Sequence, residues 1–504
     1  MERSNRWVRP AGVILLALGI RVFMCAQPAC IGRDGVHFVS FAKQLADDPI
    51  TWMRVTTKQP GYSGLLLGTH RLLGEVMGGD TPEGWQRCGE LLALLGGVGV
   101  CAGVYFLTRR LLDEQTALVA GILAALWPQG AYLSAQVLSD MPHLALYLFG
   151  LLWVYGAMER PGLGRFALCG LIMGAAYLIR QEALGLVAGS VIGAWWWSGG
   201  KTIRKRISYV SIIILGFTVV VAPYAIVKGQ IIPNKGLEDL FDTSGGASMQ
   251  WAGVFPLADA FPLWQLPGRM AEAWGRSGRY VFSTLFVIGL FLKSMPRAEQ
   301  RGRRLVLIVT ILHLLLVVAR VGKYGVLSSR YMMIPVALCL PWAAAALVMM
   351  LRLSSQRSGK RRLIIVAGIC GIVSVPLVYY LSVPVNDGKQ PYRAAGLWLA
   401  QHAAPEDRIL AHRDLEQVMY YSGRTYPRED GWSPFTPGAG LDELKGIVAK
   451  SGAKWFVDVR GSHRGKMDEV PWFDALLGGQ AAGLDPVYDA GPKEARAYVF
   501  RVGR

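Results

Sequence analysis

Apolar and polar residues are sorted along this chain into long blocks rather than short periods. Residues 207–227 form a nearly unbroken apolar run, and 363–383 form another. Each reaches the ~20 residues needed to cross ~30 Å of hydrocarbon. Shorter or more polar runs at 11–27, 88–108, 116–134, 140–158, 166–180, 183–198, 279–293, 305–319 and 331–351 extend the series. The pattern predicts a polytopic α-helical membrane protein with about eleven spans.

Three stretches are long enough to hold structure outside the bilayer: 28–87, 229–278 and 384–504. In the first, Phe38, Phe41, Ala42 and Leu45 fall at helical spacing, with Lys43, Asp47 and Asp48 off that stripe. This predicts an amphipathic helix on the membrane surface. Pro49 and the polar run after it end that helix, and a second helix is expected over 62–73. The stretch 229–278 is rich in Gly, Pro, Trp and Phe with weak periodicity, which suits a partly ordered lid. The tail has the composition of a soluble domain. Helices are expected at 392–402, 414–421 and 441–451, and strands at 408–411, 454–459 and 497–502. Asp414 serves as an N-cap and Gly423 lies just past the helix end. This alternation predicts a small α/β domain. The expected division is therefore 1–383, transmembrane with its outer loops, and 384–504.

Charge then sets an orientation. With Arg3, Arg6 and Arg9 in the cytoplasm, alternation makes every inner loop basic. Those loops carry Arg109 and Arg110; Arg160 and Arg165; Lys201, Arg204, Lys205 and Arg206. The later ones carry Lys293, Arg297, Arg301, Arg303 and Arg304, then Arg352, Arg357, Lys360, Arg361 and Arg362. The C-terminal tail then lies outside. Trp195, Trp196 and Trp197 before a basic loop fit an interfacial belt. The chain of 504 residues carries 53 Lys and Arg against 35 Asp and Glu, a net +18. That excess follows topology and is not read as a nucleic-acid footprint. The first run, with a basic start and small residues from Ala26 to Cys30, also looks like a signal peptide. The later loops favour an uncleaved anchor.

Seven cysteines are present, none after Cys370. Most sit in apolar runs as small hydrophobes. Cys25, Cys30 and Cys88 lie near the outer face, where an oxidising compartment would permit a disulfide. No CxxC or His/Cys cluster points to zinc.

The ionisable candidates gather on the outer side. Asp34, just after the first span, reads either as an N-cap or as a carboxylate held at the surface as a general base. Lys58-Gln59-Pro60-Gly61-Tyr62 marks a turn; its backbone N–H groups, Lys58 and the Tyr62 hydroxyl also suit a phosphate or sugar hydroxyl. Asp140, followed by Pro142, opens the fourth span. N-capping and a functional carboxylate are both compatible with that place. Arg180 and Glu182 sit in a tight turn, either solvated or lining a site where Arg180 binds phosphate in two-pronged fashion. Arg330 and Tyr331, near Arg320 and Lys323, suit a lipid headgroup, bulk or specific. His313, alone in an apolar run, reads as a packing residue.

Taken in order, these pieces resemble a known family. They are an Asp soon after the first span, the Pro60-Gly61-Tyr62 turn, SDMPHLAL at 139–146, AAYLIRQEAL at 175–184 and SRYMMIPVALCLPWAA at 329–344. The set is similar to the polytopic glycosyltransferases of superfamily C (the GT-C fold). The branch is that of dolichyl-phosphate-mannose-protein mannosyltransferases, which also holds the bacterial aminoarabinose transferases of lipid A. The resemblance covers roughly residues 10–350. It implies a bacterial-type plasma (inner) membrane enzyme with its site on the outer face. The donor would be a sugar on a polyprenyl monophosphate, transferred with inversion to a hydroxyl of a protein, lipid or glycan.

The resemblance also implies roles. Asp34 matches the first-loop acid assigned as catalytic base, and Asp140 the acid that starts a later span; both are taken as catalytic candidates. Gln59 to Tyr62 match a Pro-Pro-Gly-Tyr turn, with Gln59 replacing the first Pro. Arg330 matches the basic residue of an Arg-Tyr motif. Lys58, Arg180 and Arg330 are the expected donor-phosphate ligands, and Gln59, Tyr62, Glu182 and Tyr331 the expected substrate contacts. Gly35 stands where many members have Glu, so no second acid is assigned there; a divalent cation is left open as a cofactor. A carboxylate taking the acceptor proton is worth ~10²–10⁴-fold, and cations offset charge on the leaving phosphate.

A transporter or lipid flippase is the alternative class. It favours charges near the bilayer midplane and broken helices in paired repeats. No clear repeat is present, and the candidate charges fall at helix ends.

Overall fold

The computed structural model describes residues 7–27, 30–56, 58–198, 202–229, 265–291, 300–324, 327–355, 359–382, 385–411, 415–423, 441–459, 484–491 and 496–503. Most of the expected lid and Asp414 lie outside the described residues. The chain packs as two compact units. The first comprises Met1–Ala26, Gln44–Leu67 and Glu90–Ser382, and the second Gln27–Lys43, Gly68–Gly89 and Val383–Arg504. The outer segment 28–87 is therefore shared between the units rather than going whole with the spans.

The helices run in chain order as α1 (Val8–Ala26), α2 (Arg33–Asp47), α3 (Pro49–Val55), α4 (Gly61–Met77), α5 (Pro82–Leu111), α6 (Glu114–Leu126) and α7 (Pro128–Leu133). Then come α8 (Asp140–Glu159), α9 (Leu163–Ile179), α10 (Leu184–Trp197), α11 (Ile203–Lys228), α12 (Leu266–Ser277) and α13 (Val281–Phe291). The first unit closes with α14 (Gln300–Tyr324), α15 (Met333–Ser355) and α16 (Gly359–Ser382). Every expected apolar run holds a helix. Among the described residues, 6 helical stretches are long and apolar enough to cross a membrane.

Proline accounts for two departures from expectation. The run 116–134 breaks at Trp127, whose extended backbone (φ −66°, ψ 110°) precedes Pro128 at the start of α7. Proline lacks an N–H and pushes its predecessor out of the helical region. Pro49 does not simply end the amphipathic helix. Asp48 caps a new short helix by accepting from Thr51 N–H at 3.1 Å.

Small residues let spans approach closely. A Cβ on Gly170 of α9 would lie 2.3 Å from the Ile213 carbonyl oxygen of α11, and one on Gly216 would lie 2.6 Å from that of Ala167. Such pairs bring backbones together where no hydrophobic drive operates. Arg21 of α1 is fully buried and donates to the carbonyls of Ala17 (3.2 Å) and, more distantly, Ala125 and Ala124 (3.5 Å each). The last two carbonyls belong to the C-terminal turn of α6, the negative end of its dipole.

The second unit is built on a four-stranded sheet: β1 (Ile409–Ala411), β2 (Trp455–Val459), β3 (Leu484–Ala490) and β4 (Ala497–Val502), in the order β1-β2-β4-β3. β1 and β2 are parallel and the other pairs antiparallel. Its remaining helices are α17 (Gln390–His402), α18 (Glu416–Tyr421) and α19 (Leu441–Ser451). Side chains alternate across the pleat. Trp455, Val457, Ala497 and Val499 pack with α17 and α18 residues such as Leu399 and Val418. Phe456, Tyr498 and Phe500 pack on the other face with Val448 of α19. Both faces are covered. Gly423, at φ +73°, stands just past α18 in the left-handed conformation that ends helices. Cys25, Cys30 and Cys88 are free thiols.

Candidate active site

Asp140 is the first residue of α8, one place later than an N-cap; Ser139 holds the cap position and makes no side-chain cap bond. Pro142 fits because N–H groups of the first turn have no partner within the helix. The buried Asp140 carboxylate is gripped from two sides. Arg330 bonds it in two-pronged fashion, Nε to Oδ1 at 3.2 Å and Nη2 to Oδ2 at 2.6 Å. Arg180 Nη1 lies 3.1 Å from Oδ1. The Arg180 guanidinium also bonds Glu182, Nη2 to Oε1 at 2.8 Å, and approaches Ser139 Oγ at 3.4 Å.

Local structure sets this up. α9 ends at Ile179, Arg180 is extended (φ −154°, ψ 137°), and a single 3₁₀ turn, Gln181–Ala183, leads into α10. Arg180 and Glu182 thus project from a tight bend rather than a helix face. Arg330 lies in the 3₁₀ turn Ser329–Met332 that opens α15, where Ser328 Oγ accepts from the Arg330 N–H at 3.3 Å. Arg320 of α14 completes the group, 3.5 Å from Glu182 Oε1 and 4.6 Å above the Tyr331 ring, a cation–π distance.

Among the described residues, three guanidiniums face two carboxylates, one net positive charge in a largely buried setting. Burial disfavours the Glu182 charge, yet the Arg180 guanidinium, with Arg320, outweighs it and holds that carboxyl well below the usual range. Arg180 in turn is pushed further up: burial opposes its charge, and Glu182 and Asp140 more than offset it.

A pocket is lined by Asp140, Arg180, Glu182, Arg330 and Tyr331, together with His143 and His313. Its inner volume is about 20 Å³, room for one water or one hydroxyl group. Each histidine turns one ring nitrogen to a backbone carbonyl: His143 Nδ1 to Ala176 at 3.2 Å, His313 Nε2 to Tyr331 at 3.0 Å. A carbonyl only accepts, so those nitrogens carry the protons. The other nitrogens, buried and without a hydrogen-bond partner, are acceptors in the neutral rings. They suit a group that donates, such as a hydroxyl. His313 is thus more than the packing residue expected. His143 lies three residues beyond Asp140, on the same helix face, a spacing visible in the sequence.

The Pro60-Gly61-Tyr62 turn packs in the same unit. A Cβ on Gly61 would fall 2.5 Å from the Leu178 carbonyl oxygen and 2.9 Å from Ile179 N. Only glycine lets the turn seat itself on the last residues of α9, beside Arg180. Tyr62 is fully buried, and the charges of Asp140 and Glu90 add to burial in pushing its hydroxyl upward. Lys58 and Gln59 are half-buried in the bend before α4 and do not line the pocket. Asp34 belongs to the second unit. It sits in the first turn of α2, inside the helix rather than at its cap; Gly32 holds the cap position, its carbonyl accepting from Gly35 N at 2.9 Å and Val36 N at 3.1 Å. Among the described residues no three His, Cys, Asp or Glu side chains gather as a metal site.

The first unit is thus a bundle of apolar helices with a largely buried arginine–carboxylate cluster at helix ends, and the second holds a small α/β sheet domain. Residues 88–226 match the family model described as dolichyl-phosphate-mannose-protein mannosyltransferase. ArnT from Cupriavidus metallidurans in the apo state is 13% identical, with a TM-score of 0.61 over 99% of this chain and 98% of that one. The same protein bound to undecaprenyl phosphate gives the same figures. The archaeal oligosaccharyltransferase AglB from Archaeoglobus fulgidus, with an inhibitory peptide and a dolichol-phosphate, is 12% identical with a TM-score of 0.59, covering 98% of this chain and 74% of that one. No curated protein matches the sequence. The family model matches a little over a quarter of the chain, and the solved structures, at 12–13% identity, share its fold.

Proposed function

We propose that the protein transfers a sugar from a polyprenyl-phosphate donor to a hydroxyl acceptor, with inversion, on the extracytoplasmic face of a bacterial-type inner membrane. The observation that carries the reading is the buried Asp140–Arg180–Arg330 cluster with its net positive charge. Arg330 and Arg180 take the donor phosphate, with Lys58 as a further cation. Asp140, both of whose oxygens are engaged by arginines, holds those guanidiniums in place. The Asp34 carboxylate takes the acceptor proton as the acceptor oxygen attacks the anomeric carbon. The bond from that carbon to the phosphate oxygen breaks on the opposite face, and the polyprenyl phosphate leaves with the electron pair. Charge that develops on it is met by donors already fixed in a water-poor site.

Two further features support the reading. The acceptor nitrogens of His143 and His313 suit a sugar hydroxyl, with Glu182, Tyr331, Tyr62 and Gln59 as further contacts. An apolar trough of about 440 Å³ runs along α11, lined by Phe217, Val221, Ala225 and Ile226. Phe217, Val221 and Ala225 also pack with Leu178 and Ala183, next to Arg180, so an isoprenyl chain in the trough would lead toward the cluster. AglB and ArnT, similar in fold, are solved with polyprenyl phosphates.

The test is a transfer assay on the full-length protein in lipid, with polyprenyl-phosphate sugars as donors. Wild-type turnover with loss in Asp34→Asn is expected. Solute uptake into vesicles without any glycosyl product would instead identify a transporter.

A further inference from the structure

The segment that carries Asp34 is fastened at four points to the C-terminal domain, within one compact unit. Arg33 Nε and Nη2 lie 3.1 and 3.0 Å from Glu416 Oε1. His37 Nε2 lies 3.1 Å from Glu416 Oε2. The Ile31 N–H donates to the Tyr421 hydroxyl at 2.8 Å, and that hydroxyl donates to Gln86 Oε1 at 2.6 Å. The Asn386 side-chain amide donates to the Cys30 carbonyl at 2.9 Å. Gln417, with its amide turned to pair correctly, accepts from Arg33 N–H and Lys389 Nζ, each at 3.2 Å.

These bonds bracket Asp34 on both sides. Residues 30, 31 and 33 are held before it, and His37 one turn after it. Three of the holding side chains, Glu416, Gln417 and Tyr421, come from the single short helix α18. The Glu416 side chain is 0% exposed. A buried carboxylate is tolerated only with partners, and its partners include Arg33 and His37, the two basic residues that flank Asp34. Burial works against the Glu416 charge, yet His37 and Arg33 hold its carboxyl below the usual range.

We propose that the C-terminal domain is a positioning clamp for the Asp34 carboxylate, with Glu416 as its central positioning residue. The inference rests on the reading of Asp34 as the base. A general base must sit within hydrogen-bond reach of the proton it removes, and a misplacement of ~1 Å can cost ~10²-fold. The clamp fixes the first turn of α2, which bears Asp34, against α18.

The experiment compares full-length wild type, Asp34→Asn, Glu416→Gln, Glu416→Ala and the Asp34→Asn/Glu416→Ala double variant in lipid. Glu416→Ala is expected to lower kcat roughly 10–100-fold while donor KM stays within about twofold. Glu416→Gln, which keeps shape and one acceptor, is expected to fall between. The double variant should be no slower than Asp34→Asn alone, because a clamp has nothing left to position. Hydrogen exchange over 30–38 should quicken in Glu416→Ala and in the milder Tyr421→Phe, which also serves if Glu416→Ala fails to fold. Wild-type kcat in Glu416→Ala, a full additive loss in the double variant, or unchanged exchange over 30–38 would overturn the clamp while leaving Asp34 as the base. Full turnover by Asp34→Asn would overturn both, and is told apart by that single variant.

Discussion

Arg330 and Asp140, 190 positions apart in sequence, meet through two parallel contacts of 3.2 and 2.6 Å. The pair joins the start of α8 to the turn that opens α15. A guanidinium fork and a carboxylate match in shape as well as charge, so the pair fixes direction as well as distance.

That geometry makes Arg330 irreplaceable by a point charge. Arg330→Ala is expected to lower kcat about 10²–10³-fold, the usual loss of one donor to a developing oxyanion. Arg330→Lys should recover only part of it, because an ammonium cannot form the fork. Steady-state transfer kinetics decide the matter.

Removing Asp140 takes away the carboxylate that the largely buried Arg180 and Arg330 share. Asp140→Ala is expected to destabilise the protein by about 3–5 kcal/mol, as for other broken buried pairs. Thermal unfolding in detergent measures it. Inorganic phosphate should restore more stability to this variant than it adds to wild type, since the freed guanidiniums then bind the anion.

Gly61→Ala places a methyl group 2.5 Å from the Leu178 carbonyl oxygen. Backbone cannot yield cheaply there, and a loss of about 1–3 kcal/mol is expected. Because the turn seats beside Arg180, donor KM should rise as well. Gly64→Ala, with open space at its Cβ, is the control and should show neither effect.

Glu416 gives a pH dependence with a definite sign. Its folded carboxyl titrates below its ordinary value of 4.5. Its contribution to stability is therefore complete above about 4.5 and lost as pH falls through the lower folded value. Thermal unfolding of wild type and Glu416→Gln should differ at neutral pH, and the difference should shrink on acidification below about 4.5. A gap that stays constant with pH would show that the Glu416 charge carries no stability.

Much of the fold was legible because membrane physics writes itself in long, simple signals. Runs of apolar residues placed the helices, with errors mainly where Pro128 and Pro49 start new short helices. In the tail, the succession of helix-like and strand-like segments marked the sheet, and the glycine after α18 marked a helix end. The site was legible in part. Asp140, Arg180, Glu182, Arg330 and Tyr331 stood out as polar residues at the ends of apolar runs, and the structure gathers them at one pocket. His143 was missed although it shares a face with Asp140. Glu416 gave no signal, because an acid on a short amphipathic helix looks like any solvated one.

By itself the sequence determined which segments enter the membrane and which charges lie at their ends, since the cost of burying polar groups in hydrocarbon acts on each segment separately. Only the tertiary structure decided which of those charges meet. Pairings such as Arg330 with Asp140 and Arg33 with Glu416 depend on side-chain direction at helix ends and on contacts between residues hundreds of positions apart, and no local pattern encodes either.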